Sequence, residues 1–130
     1  SGIAFGVAAA YEIGCDVVFA KKGGHKNVGD NVYSSKVFSF TKGKEYDIVI
    51  SKEHLDKTDK VLIIDDFLAE GNAVRGLVKM VESAGAEVVG VGIVIEKGFQ
   101  RGGKELRREG LHVESLAIID AIGDKDVTFR

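Results

Sequence analysis

Val61-Leu62-Ile63-Ile64-Asp65-Asp66-Phe67-Leu68-Ala69-Glu70-Gly71-Asn72-Ala73 is the stretch around which the chain is built. Its first four residues are large and apolar, three of them β-branched, and read as a strand buried on both faces inside a parallel sheet. The strand is expected to stop at Asp65 and Asp66, because two adjacent carboxylates buried without partners carry a large desolvation cost. The carboxyl end of a strand is also where α/β folds place their ligands. A helix follows: Ala73, Val74, Leu77, Val78, Val81 and Ala84 recur at helical spacing, and Gly85 stands where a left-handed C-cap would end it. The unit is strand, paired aspartates, a short loop with Gly71, helix. Backbone N–H groups and the positive end of a helix dipole face that loop and make an anion site. Carboxylates able to accept hydroxyl hydrogens stand beside it, so the ligand chemistry expected is a ribose phosphate.

Working outward, residues 3–13 are apolar nearly all round and predict a helix packed inside an α/β layer, ended by Gly14. Val17, Val18, Phe19 and Ala20 predict a short buried strand, with Lys21 and Lys22 at its exit and Cys15 as a buried structural thiol at the junction. Residues 21–44 hold six lysines and His25 against one acid, Asp30. This basic segment reads either as a solvated edge loop or as a mobile arm that meets a polyanion, and the glycine-rich polar stretch 23–31 inside it is composed like a hinged lid. Residues 37–41 and 46–51 predict a β-hairpin, and residues 51–60 a polar lead into the central strand. Residues 88–95 predict a second buried strand, reached from the first by a right-handed crossover, so that Glu96, Lys97, Gly98 and Phe99 fall on the same rim as the aspartates. A short charged helix over 103–108 and a last strand over 113–119 complete the chain. Arg101, Lys104, Arg107 and Arg108 read as a solvated helix face.

The chain has 130 residues, 45% hydrophobic and 29% charged, with a formal net charge of -2, which fits one soluble α/β domain spanning residues 1–130. That balance does not predict a nucleic-acid partner. The apolar runs are too short to cross a bilayer, and no charged-then-apolar leader is present, so a cytoplasmic location is expected. A single cysteine fits a reducing compartment. No Gly-x-x-x-x-Gly-Lys-Ser/Thr loop, complete dinucleotide fingerprint, Cys-x-x-Cys or His-Glu-x-x-His occurs, and His25, His54 and His112 are scattered. A metal held by protein side chains is therefore not expected. Magnesium bound to a substrate's phosphates remains compatible, because it keeps its waters and needs few protein ligands.

The apolar strand, the two acids and the glycine loop opening a helix resemble the phosphoribosyl pyrophosphate signature of the type I phosphoribosyltransferases. Asp65-Asp66-Phe67-Leu68-Ala69-x-Gly71, then Gly92-Ile93-Val94-Ile95-Glu96-Lys97-Gly98-Phe99-Gln100 and Val113-Glu114-Ser115-Leu116-Ala117, are similar in wording to the xanthine-using branch of that family. The resemblance implies a parallel-sheet core with helices on both faces, a β-hairpin and a flexible lid. It implies transfer of the 5-phosphoribosyl group from phosphoribosyl pyrophosphate, with substrate-bound Mg²⁺, to a 6-oxopurine such as xanthine, in a homodimer. On the matching positions, Asp65 and Asp66 hold the ribose hydroxyls, and Ala69, Glu70, Gly71, Asn72 and Ala73 hold the 5-phosphate. Glu70 is expected to point outward, away from the anion. Ser1, Gly2, Lys21 and Lys22 receive pyrophosphate. Lys97 meets an exocyclic oxygen of the base, where an ammonium favours oxo over amino substituents. Phe67 and Phe99 either line the base pocket or are ordinary core. Ala69 stands where hypoxanthine-guanine enzymes place an acid, which fits the xanthine or adenine branches better. The opening Ser1-Gly2-Ile3-Ala4 matches the second half of the family's pyrophosphate loop, so a preceding strand and a segment covering the base are expected to lie upstream. A non-catalytic sensor of the same donor, or an enzyme for another purine, are the alternatives.

Overall fold

The computed structural model describes residues 1–23, 31–40 and 42–130. Most of the predicted lid, including His25, Lys26 and Asp30, lies outside the described residues, as does Thr41 at the predicted end of the first hairpin strand. Within the described residues the element order is α1 (Gly2–Ile13), β1 (Lys21–Gly23), β2 (Val32–Ser39), β3 (Lys44–Ser51), a 3-10 turn (Lys52–His54), β4 (Lys60–Leu68), α2 (Asn72–Ser83), β5 (Glu87–Lys97), α3 (Gly102–Arg108), β6 (Val113–Ile122) and β7 (Val127–Phe129). They form two compact units.

The first unit comprises Ser1–Cys15, Leu62–Gly71 and Gly90–Arg130. Its sheet runs in the order β4-β5-β6-β7. β5 and β6 are parallel, with Val91 opposite Val113 and Lys97 opposite Ile119, and β7 returns antiparallel beside β6. Gly90 stands by Leu62 and Gly92 by Ile64, numbers rising together as in a parallel pair. A Cβ on Gly92 would lie 2.8 Å from Ile64 Cδ1, so the bare backbone at 92 makes room for the central strand's side chain. β4 does not stop at the aspartates but continues to Leu68. The physical reason is local: each carboxylate accepts the next residue's backbone N–H, Asp65 from Asp66 at 2.9 Å and Asp66 from Phe67 at 2.8 Å. Nor is β4 buried on both faces: Ile63 is inside while Leu62 is 43% exposed. The antiparallel β7 was not foreseen, because its three residues carry no periodicity long enough to read.

Helix α1 forms where the periodicity places it and ends on Gly14 in a left-handed conformation, whose N–H bonds Ala10 O at 2.9 Å. It is not an interior helix here. Ala10 is its only buried residue, and Ile3, Phe5, Val7, Tyr11 and Ile13 are exposed. Cys15 is exposed too, since its N–H folds back to Ala10 O and leaves the side chain beyond the helix end.

The second unit comprises Asp16–Val61 and Asn72–Val89. β2 and β3 form the expected hairpin, with Val37 opposite Tyr46 and Ser39 opposite Lys44, and β1 adds to the other side of β3. Val17, Val18 and Phe19 are not a buried strand. They are exposed, and among the described residues pairing begins only at Lys21, so Lys21 and Lys22 are strand residues opposite Val49 and Ile48. α2 lays its apolar face on the hairpin: Met80 and Val81 join Val37, Ile48, Ile50 and Leu55 in one core. Gly76 permits the approach, since a Cβ there would come 2.8 Å from Val37 Cγ2. α2 closes with Gly85 at φ 73, Gly85 N–H bonding Glu82 O and Ala86 N–H bonding Val81 O, which satisfies the terminal carbonyls as expected of a glycine C-cap.

Candidate functional site

The carboxyl ends of β4 and β5, the start of α1, the loop Ala69–Gly71 and the start of α3 all belong to the first unit, and they bring most of the singled-out residues together. Asp65 and Asp66 are consecutive strand residues, so their side chains leave opposite faces of β4. The two acids differ in consequence. Burial pushes Asp65 up to about 6, helped by the neighbouring Asp66 and opposed by the Asp66 N–H. Burial acts upward on Asp66 as well, but hydrogen bonds from the Ser1 hydroxyl and the Phe67 N–H hold it below its usual range. One carboxyl takes a proton near pH 6, which lowers the cost of half-burying two acids side by side.

Asp66 Oδ2 accepts the hydroxyl hydrogen of Ser1, 65 positions away in sequence. This carboxylate is thus aimed to take an O–H donor, the interaction a sugar hydroxyl makes. Gly2 lies against the other acid, where a Cβ would come 2.9 Å from Asp65 Oδ1. Beyond Leu68 the chain turns at Gly71, whose φ of 84 is a left-handed conformation that side chains resist, and enters α2 at Asn72. Gly102 N–H donates to Ala69 O at 3.1 Å, and Arg101 bonds Glu70 at 2.9 Å. Glu70 therefore does not swing free into solvent; it turns toward α3, with only 26% of its side chain exposed.

On β5, Lys97 extends its ammonium 5.9 Å from the centre of the Phe67 ring. Phe67 and Phe99 are 51% and 49% exposed, which removes the reading of either as ordinary core. A large, half-exposed ring beside an ammonium, as Phe67 is beside Lys97, suits a flat polar ligand. Glu96, the preceding residue, points the other way and is buried. It receives Arg107 Nη1 and Nη2 at 2.8 Å each and Ser115 Oγ at 2.6 Å. The Arg107 bond is the main reason Glu96 stays below its usual range, and Glu96 in turn raises Arg107. Arg107 thus keeps part of its side chain on the exposed face, but its guanidinium is committed to Glu96. The signal that could have found it is its four-residue offset from Gly103, on a short helix whose Gly103 and Leu106 are both buried.

The remaining singled-out residues belong to the second unit. Lys21 and Lys22 lie on β1, with Lys22 Nζ 4.8 Å from the Tyr46 ring centre. Asn72 donates from its side-chain amide to Phe38 O at 3.2 Å, and Ala73 packs beside the α2–hairpin core. Among the described residues no group of three or more His, Cys, Asp or Glu could hold a metal ion, and no helix is long and apolar enough to cross a membrane.

A family profile described as "Phosphoribosyl transferase domain" matches residues 1–123. A xanthine phosphoribosyltransferase of Finegoldia magna is 52% identical over 130 residues, all of this chain and 68% of that protein. One of Bacillus thuringiensis (strain Al Hakam) is 54% identical over 129 residues, 99% of this chain and 66% of its own. The chain therefore spans about two thirds of the length of these relatives. Among solved structures, the adenine phosphoribosyltransferase of Thermoanaerobacter pseudethanolicus matches with TM-score 0.77 at 29% identity, over 90% of this chain and 64% of that one. The Trypanosoma brucei adenine phosphoribosyl transferase, with TM-score 0.80 at 20% identity over 95% of this chain and 55% of that one, shares the fold.

Proposed function

The chain belongs to the phosphoribosyl transferase family, and from that premise we propose that it transfers the 5-phosphoribosyl group of phosphoribosyl pyrophosphate to xanthine, giving xanthosine monophosphate and pyrophosphate. The observation that carries the proposal is Asp66 accepting a hydroxyl at the end of β4, beside a loop turned by a left-handed Gly71. The base follows from the relatives' names and from Lys97 beside Phe67, a cation placed to favour an oxo group.

In this reading Asp65 and Asp66 accept the ribose hydroxyls, and the backbone of Ala69, Glu70 and Gly71, with Asn72 and Ala73, holds the 5-phosphate. Ser1 would exchange its hydrogen bond to Asp66 for a role toward pyrophosphate, with Gly2. A purine nitrogen attacks C1 of the ribose as the C1–O bond to pyrophosphate breaks, positive charge gathers on the sugar, and the proton that the nitrogen loses leaves with the pyrophosphate. The carboxylates stabilise that charge and fix the ring, so the protein contributes mainly orientation and electrostatics. Mg²⁺ arriving as part of the substrate would offset the charge of the leaving pyrophosphate, and Asp65 and Asp66 would be the carboxylates suited to its water shell. A homodimer, to which the exposed apolar residues of α1 would lend contact area, and a cytoplasmic location belong to the same proposal.

The test is calorimetric titration of the chain, and of a form as long as its relatives, with phosphoribosyl pyrophosphate and magnesium, followed by xanthine and adenine turnover. Donor binding with turnover of xanthine over adenine supports the proposal. Donor binding without turnover in the longer form moves the assignment to a sensor, and a folded longer form that binds no donor overturns it.

A further inference from the structure

The glycine pair that opens α3 touches both halves of the site within the first unit. A Cβ on Gly102 would overlap the Ala69 carbonyl oxygen and lie 2.6 Å from Glu70 C and 2.7 Å from Gly71 N. The backbone at 102 is thus pressed flat against the loop, and its N–H donates to Ala69 O at 3.1 Å. One residue earlier, Arg101 is bonded to Glu70. One residue later, a Cβ on Gly103 would overlap Glu96 Oε1 and lie 2.6 Å from its Cδ, next to the residue that carries Lys97. Gly102 and Gly103 are buried, and α3 is anchored beyond them by fully buried Leu106 and by Arg107, which bonds both Glu96 and the carbonyl of Val113.

We propose that Gly102 and Gly103 are positioning residues with divided tasks: Gly102, with Arg101, sets the backbone of the donor loop 69–71, and Gly103 sets Glu96 and through it the direction of Lys97. This rests on the function proposed above. Neither glycine touches a reacting atom. Their lack of a side chain lets one rigid turn bear on the loop with one residue and on the strand end with the next. Neither has a positive φ, so close approach, rather than backbone conformation, demands glycine. A loop carbonyl displaced by a new methyl would turn its neighbouring N–H groups away from a bound phosphate. A displaced Glu96 carboxylate would shift the end of β5.

The experiment measures donor Kd by titration with magnesium phosphoribosyl pyrophosphate, and xanthine and donor KM, for Gly102→Ala, Gly103→Ala and Arg101→Ala in the longest form that turns over. Gly102→Ala is expected to weaken the donor about ten-fold, the effect of losing one charge-assisted hydrogen bond, with xanthine KM little moved. Gly103→Ala is expected to raise xanthine KM by about the same factor through Lys97, with donor Kd little moved. Arg101→Ala, a change at an exposed side chain that the fold tolerates, keeps the test alive if Gly102→Ala does not fold; it is expected to weaken the donor about three-fold. Equal effects of the two glycine variants on both ligands would reduce the pair to a structural role and overturn the division. Unchanged donor affinity in Arg101→Ala and Gly102→Ala, with the parent binding normally, would overturn the inference alone. A parent that binds no donor would overturn the function it rests on as well.

Discussion

Glu96 and Arg107 meet through two parallel hydrogen bonds of 2.8 Å, joining the buried end of β5 to the last turn of α3. Ser115 on the neighbouring strand gives the same carboxylate a third bond. Removing Arg107 would leave an acid that is 3% exposed with the Ser115 hydroxyl bonded to it and the charge of Arg130 acting on it. Arg107→Ala is therefore expected to cost roughly 3 kcal/mol, the lower end for breaking a buried pair, because the arginine itself is partly exposed. Urea unfolding followed by circular dichroism measures it, and a loss below about 1 kcal/mol, the range of a surface pair, would show the pair to be solvated. The same pair loses its contribution in acid: Glu96 is held below its usual range, so its stability is present above about pH 4.5 and falls as pH drops through its lowered value.

Asp65 has the opposite sign. Its pKa rises from 3.8 to about 6, so the folded chain holds a proton that the unfolded chain has released across that window. The stability it lends is full below pH 3.8 and lost as pH rises through about 6. Asp65→Asn is expected to abolish this fall, visible as a flatter profile of unfolding midpoint against pH between 4 and 7 than the parent shows. Donor affinity is expected to run the other way, strengthening as Asp65 ionises. Comparing donor Kd at pH 5 and 7.5 in parent and Asp65→Asn separates this term from the donor's own titration, which is common to both proteins. Equal pH slopes in the two would exclude Asp65 from the donor site.

Asp66→Asn keeps the shape of the side chain and removes its charge. A charge-assisted hydrogen bond contributes about 1.5–3 kcal/mol, so kcat/KM for the donor is expected to fall about ten- to a hundred-fold with an unchanged circular dichroism spectrum. Turnover that stays at the parental level would take this aspartate out of the mechanism.

Lys97→Gln tests base choice. With the ammonium gone, xanthine kcat/KM is expected to drop by about ten-fold or more while adenine turnover changes little, so the ratio between the two bases narrows. A parallel drop for both bases would mean that Lys97 supports the strand end and reads no oxygen.

Much of this was legible in one dimension because it rests on local rules. The apolar run before Asp65, the helical spacing after Gly71 and the left-handed glycines at 14 and 85 each act within a few residues, and α1, α2 and β4 form where those signals put them, with β4 running on past the aspartates to Leu68. The alternation of the hairpin was equally plain, although β2 begins well before the residues that announced it. Burial was read less well. Residues 17–19, Cys15 and the apolar side of α1 have the composition of an interior, yet composition records what a segment could bury, and exposure depends on what lies against it.

The sequence by itself determined the β4–loop–α2 unit and the residue types of the site, because a strand period, a paired acid and a glycine turn are properties of neighbours in the chain, and the wording of its motifs carried the resemblance to the family. Tertiary structure alone decided which distant residues share a task. Ser1 reaches Asp66, Arg101 reaches Glu70, Arg107 reaches Glu96, and Gly102 lies against Ala69. Each of these pairs is joined by a hydrogen bond or a close backbone approach across separate elements, and such contacts are set by the packing of strands and helices, which leaves no periodic trace in the residues that make them.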